Sequence, residues 1–144
     1  MRFRLLLTTV CLALAALGNA AEFTNMPASK QTVRKQVIAV IDAQLAAFRA
    51  QDVTRAYAYA SVGLRRRMPV AVFASVVREN YSQIWTNSRA EYGIVRDDGN
   101  TARVLVHVEG KTGAASYDYT LENENGQWRV RAILRSEGTP GTEM

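Results

Sequence analysis

The chain has 144 residues, with 18 Lys and Arg against 13 Asp and Glu for a formal net charge of +5, and only one histidine and one cysteine. That composition excludes a disulfide framework and the usual Cys- or His-built transition-metal centre. The charge excess is modest and no RNA-binding aromatic motif accompanies it, which argues against nucleic acid as a partner.

The opening segment, MRFRLLLTTVCLALAALGNA, sets Arg2 and Arg4 before an apolar run from Leu5 to Leu17 and closes on Gly18 and Ala20. This is the order of a secretory signal peptide over residues 1–20, and it predicts export to the periplasm or medium. The run is shorter than the roughly 18 residues of a spanning helix. No membrane anchor is therefore expected. Thr8-Thr9-Val10 is not the context of a lipidated cysteine, so Cys11 leaves with the signal. Cleavage after Ala20 removes Arg2 and Arg4, lowers the net charge to +3 and leaves 124 residues without cysteine. A chain of that length makes one domain and can bury about two thirds of its unfolded surface.

Residues 21–28 read as a polar lead-in and residues 29–136 as the domain. Ser29 is the predicted N-cap of a first helix running to about Ala50. At 100° per residue, Val37, Ile41, Leu45 and Phe48 fall within about 40° of one direction, the stripe of an amphipathic helix. Asp52 is the predicted cap of a second helix, VTRAYAYA. After SVGLRRRMP, Pro69 suits the first turn of a third helix, with Phe73, Val76, Val77, Tyr81 and Ile84 as its buried stripe.

From Ser88 the period changes to two, and the turn signals DDGN, GKTG and NENG divide the remainder into four strands. Helices followed by strands predict an α+β fold: three N-terminal helices packed on one face of a curved four-stranded antiparallel sheet. Asp97-Asp98-Gly99 fits a three-residue hairpin loop, which sets the register. The core face then carries Ala90, Tyr92, Ile94, Ala102, Val104, Val106, Val108, Ala115, Tyr117, Tyr119, Leu121, Trp128, Val130, Ala132 and Leu134. The outer face carries Arg103, Leu105, His107, Ser116, Asp118, Thr120, Arg129, Arg131, Ile133 and Arg135. Residues 137–144 are expected to be a disordered tail.

The stretches VIDAQLAAFRAQDVTRAYAYAS, VFASVVRENY and DYTLENENGQWRVRAIL together resemble a bacterial family, domain of unknown function 4864. The likeness spans about residues 36–135 and is carried by Gln44, Leu45, Phe48, Asp52, Ala56, Ala60, Ser61, Phe73, Tyr81 and Trp128-Arg129. Where that family continues Ala-Ser with proline, this chain has Val62. The resemblance implies a small, often exported domain related to the cone-shaped NTF2-like (cystatin-like) folds, which elsewhere host isomerases, dehydratases and ligand-binding modules, and it offers no particular activity to carry over.

Gln44 lies about 60° from the centre of the first helix's apolar stripe, at the edge of the space between helices and sheet. Two roles fit it. It either bonds a backbone group and fixes the junction to the next helix, or it is a pocket group aided by Tyr92, Tyr117, Tyr119 and Trp85. His107 and Asp118 suggest a dyad, but alternation puts both on the outer face, where a solvated pair is expected. An isomerase or dehydratase would need a carboxylate base facing the cavity, and the predicted core face has none. Arg65-Arg66-Arg67 is the strongest charge feature, a candidate site for anions held between Leu64 and Met68 at helical spacing. Neither a metal nor a cofactor is expected, and DDGN lacks the spaced ligands of a calcium loop.

The sequence thus predicts a non-enzymatic exported domain that binds a small apolar or amphipathic ligand or a partner protein. Dimerisation is expected through Leu105, Ile133, Asp118 and Arg131 on the outer sheet face. The alternatives are an isomerase-like enzyme using Gln44 and a tyrosine, and attachment to anionic surfaces through Arg65, Arg66 and Arg67.

Overall fold

A computed structural model describes residues 25–136. The signal peptide with Cys11, the cleavage after Ala20 and the tail 137–144 lie outside the described residues. Among the described residues, five helical segments precede the sheet: α1 (Gln31–Arg49), α2 (Val53–Ala58), α3 (Val62–Arg67), α4 (Val70–Asn80) and α5 (Ser82–Trp85). The three expected helices are thus divided further. The triple-arginine stretch forms its own turn, α3, and the third helix breaks at Tyr81, whose backbone is non-helical (φ −128°, ψ 52°).

Ser29 does not cap α1; Lys30 occupies that position without a side-chain bond. The lead-in is instead committed to the sheet edge. Ser29 donates its backbone N–H to Val95 O at 2.8 Å, Ala28 bridges Arg96, and Arg96 Nη1 donates to Met26 O. At the other end of α1, Gln51 adopts a left-handed φ of 56°. The N–H groups of Gln51 and Asp52 then reach back to Phe48 O and Ala47 O, the reciprocal bonds of a Schellman motif. Asp52 starts α2 as expected, accepting from Arg55 N at 3.0 Å.

Between α2 and α3 the chain runs extended beside the last strand: Ser61 donates to Val130 O and Val130 donates to Tyr59 O, both at 2.8 Å. Ser61 then caps α3, accepting from Leu64 N. The Val62 N–H donates to a Glu124 carboxylate oxygen, a bond that proline at this position could not make. Pro69 sits one position earlier than expected, at the N-cap of α4.

The antiparallel sheet contains β1 (Asn87–Tyr92), β2 (Arg96–Asp97), β3 (Thr101–Gly110), β4 (Gly113–Glu124) and β5 (Gln127–Arg135). Its order is β1-β3-β4-β5, with β2 also paired to β3. It has five strands rather than four because the expected first strand is broken in two. Tyr92 faces Val106 whereas Arg96 faces Arg103, so the edge carries one more residue than β3 over this stretch. Such a bulge inverts the faces beyond it. Ile94, expected in the core, is 61 % exposed, and Val95 takes its place at 2 %.

The β3–β4 register is as predicted along its length, with Val104 opposite Tyr119, Val106 opposite Tyr117 and Val108 opposite Ala115. Asn125 and Gly126 both have positive φ, 53° and 87°, giving the two-residue turn that sets Glu124 opposite Gln127. A further bulge then intervenes in β5. Leu121 faces Val130 but Thr120 faces Ala132, leaving Arg131 as the extra residue. From there the expected faces are exchanged. Ile133 turns inward and packs on the core, while Leu134 points outward and is 63 % exposed.

Helices and sheet meet over one core that includes Val37, Ile41, Leu45 and Phe48 of α1 and Tyr117, Tyr119 and Leu121 of β4. Burying each large apolar side chain contributes about 1.5–3 kcal/mol. Phe48 stacks on Phe73 with ring centroids 5.9 Å apart and lies 6.0 Å from Trp85, joining α1 to α4 and α5. Gly110 allows the closest approach between α5 and β3: a Cβ there would stand 2.8 Å from Gln83 O and 2.7 Å from Thr86 Oγ1.

Candidate functional site

An open groove of about 270 Å³ lies between α3, α4 and the bulged end of β5. Its construction follows from local sequence. Leu64 of α3 and Met68, the extended residue that ends it, both line the groove with Arg67. The turn is fixed from below by Tyr57, whose hydroxyl lies 2.9 Å from the carbonyls of both Arg65 and Met68. From α4 come Phe73, Val76 and Val77. The β5 bulge supplies the opposite wall by turning Ile133 inward, and the Tyr81 hydroxyl donates to Ile133 O at 2.8 Å, pinning strand to helix end.

The walls are apolar and the charged groups in the lining are guanidiniums. Arg131 forms an ion pair with Glu122, its Nε 3.1 Å from a carboxylate oxygen, and its side chain is half exposed. Arg67 is exposed and makes no ion pair among the described residues. Among the described residues, no carboxylate lines the groove.

The residues that sequence reasoning proposed for a pocket are placed elsewhere. Gln44 is fully buried, and its Nε2 donates to Ala56 O at 3.1 Å, tying α1 to α2. Its Oε1 has no hydrogen-bond partner among the described residues. Tyr117 is buried and donates to Gln83 Oε1 at 2.8 Å. Tyr119 is buried without a partner for its hydroxyl, and burial first, then the neighbouring Tyr117, holds its phenol well above the ordinary range. Tyr92 donates to the Asp42 carboxylate in a close contact. Burial and that hydrogen bond push its phenol upward as well.

Trp85 lines a different opening, a cleft of about 390 Å³ shared with Phe48, Arg49, Asn87 and Lys111. The Arg78 guanidinium lies 5.9 Å from its ring centroid. Neither the groove nor the cleft is lined by Gln44, Tyr92, Tyr117 or Tyr119. Asn87 was not foreseen from the sequence. Its Nδ2 donates to Leu45 O and Ile84 O, and its Oδ1 accepts from Arg49, so one buried amide joins α1, α5 and β1.

The outer face holds Leu105 and Asp118 as expected, but Leu134 takes the position assigned to Ile133. Leu105, Asp118 and Leu134 form one cross-strand row. Asp118 pairs with Arg103 at 3.4 Å, and His107 Nδ1 lies 3.1 Å from Ser116 Oγ. The triple arginine divides: Arg66 and Arg67 are exposed whereas Arg65 is half-buried. Among the described residues no group of three or more His, Cys, Asp or Glu side chains could hold a metal ion, and no helix is long and apolar enough to cross a membrane.

Fold and site together define an α+β protein whose helices pack on an open antiparallel sheet. The family described as Domain of unknown function (DUF4864) matches residues 30–140, and the chain belongs to that family. No curated protein and no solved structure matches it.

Proposed function

We propose that this is an exported, non-enzymatic binding domain that holds a small apolar or amphipathic ligand in the groove between α3, α4 and β5. The observation that carries the reading is an apolar lining with no carboxylate. An isomerase would need a base there, and Tyr81 is the one titratable group in the lining besides the two arginines. Helices preceding an antiparallel sheet support placing the domain with the NTF2-like cones. The order of arginines, apolar run and small residues in segment 1–20 supports export.

Pairing with a second copy belongs to the same reading. Leu105 and Leu134, 45 % and 63 % exposed, flank Asp118 in one row, an apolar pair beside charges of both signs. Native mass spectrometry of the chain purified from the exported fraction tests both parts. The expected spectrum is a dimer carrying a stoichiometric adduct. Ala132→Trp, which fills the groove, removes the adduct, while Leu105→Glu with Leu134→Glu yields monomers. An adduct-free wild type, or an adduct indifferent to Ala132→Trp, contradicts the groove assignment, and dimers persisting in the double glutamate variant contradict the interface.

A further inference from the structure

The groove brings apolar walls and cations into one opening. Its walls are side chains such as Val76, Val77 and Ile133, and the charged residues in its lining are Arg67 and Arg131, the latter ion-paired with Glu122 outside the lining. An uncharged ligand would not use those cations, and a fully polar anion would not use the walls. We propose that the occupant is a free amphipathic monocarboxylate, a fatty-acid-like molecule whose tail lies along Val76, Val77 and Ile133 and whose carboxylate meets Arg67 and Arg131. This inference rests on the groove being the binding site.

The chemistry of the two arginines is complementary. Arg67 sits in the last turn of α3 and has no ion-pair partner among the described residues, so its planar fork is available for a bidentate carboxylate. Arg131 is ion-paired with Glu122, its Nε 3.1 Å from a carboxylate oxygen, and a ligand carboxylate would meet its other guanidinium N–H groups. Burying the arginine stems beside apolar walls while the heads stay in water is the usual disposition of such side chains. The volume of about 270 Å³ is near the lower edge of small-molecule pockets, roughly 300–1,000 Å³. A single short chain fits it better than a two-chain lipid. Met68 supplies an adaptable wall that tolerates tails of differing shape.

Isothermal titration of the mature chain with decanoate and with decanol, both below micelle-forming concentrations, separates this inference from the reading beneath it. The expected result is decanoate binding about tenfold tighter than decanol, the scale of a hydrogen-bonded charge contact. Arg67→Gln is expected to weaken decanoate binding more than decanol binding and so to reduce that preference. Equal affinity for both probes would overturn the carboxylate assignment and leave the groove standing. Binding of neither would overturn both. Strong binding to anionic phosphatidylglycerol vesicles without binding of monomeric decanoate would make the arginines a membrane contact and likewise overturn the inference.

Discussion

At the scale of single residues, buried polar groups decide whether a side chain is structural or free to act. Gln44 is the clearest case. Its carrier helix was legible in the sequence, as was its position beside the apolar stripe, but its partner was not, because periodicity gives direction on one helix and no distance to the next. The structure resolves the choice through one bond, Gln44 Nε2 to Ala56 O, in an environment with no solvent access. Gln44→Ala should therefore lower stability by about 2 kcal/mol, from the lost hydrogen bond and the space left behind. Urea unfolding of the mature variant measures it. Decanoate affinity should be unchanged, and a stable variant that no longer binds would make Gln44 a ligand group after all. Asn87 was missed for a related reason: a polar residue at the start of a strand gives no sign in sequence that its amide will bond α1 and α5 at once.

At the scale of elements, the bulges separate what alternation could foresee from what it could not. Apolar residues at every second position placed Val104, Val106, Tyr117, Tyr119, Leu121 and Val130 correctly inside. The same rule failed at Ile94 and from Arg131 to the end of β5. One extra residue exchanges the faces there, and the sequence around it still alternates. Ile133 was thereby assigned to the outer face, although it forms a wall of the groove. The difference is measurable. Ile133→Ala should cost about 2 kcal/mol or more as a truncation against the core, whereas Leu134→Ala, compared at concentrations where the chain is monomeric, should stay within about 0.5 kcal/mol as a surface change. Comparable unfolding midpoints for the two variants, or a larger loss at Leu134, would contradict the bulged register.

At the scale of the whole molecule, helix-then-strand order made the α+β class legible, and three well-formed turn signals placed most of the sheet. The groove was less so. It is assembled from the six-residue α3, the neighbouring α4 and the bulged strand β5, which is distant from both in sequence, and its geometry depends on the exchange of Ile133 for Leu134. Leu64 and Met68 were recognisable as a helical pair, and Arg67 as part of a charge run, but nothing in their spacing showed that β5 would close over them. The central claim is the location of binding. It is tested most directly by following backbone amide and methyl resonances of the isotope-labelled mature chain during titration with decanoate. The account predicts saturable shifts confined to Leu64, Met68, Val76, Val77 and Ile133 and their neighbours. Shifts centred instead on the cleft of Phe48, Arg49, Trp85 and Lys111, or none at saturating ligand, would contradict it.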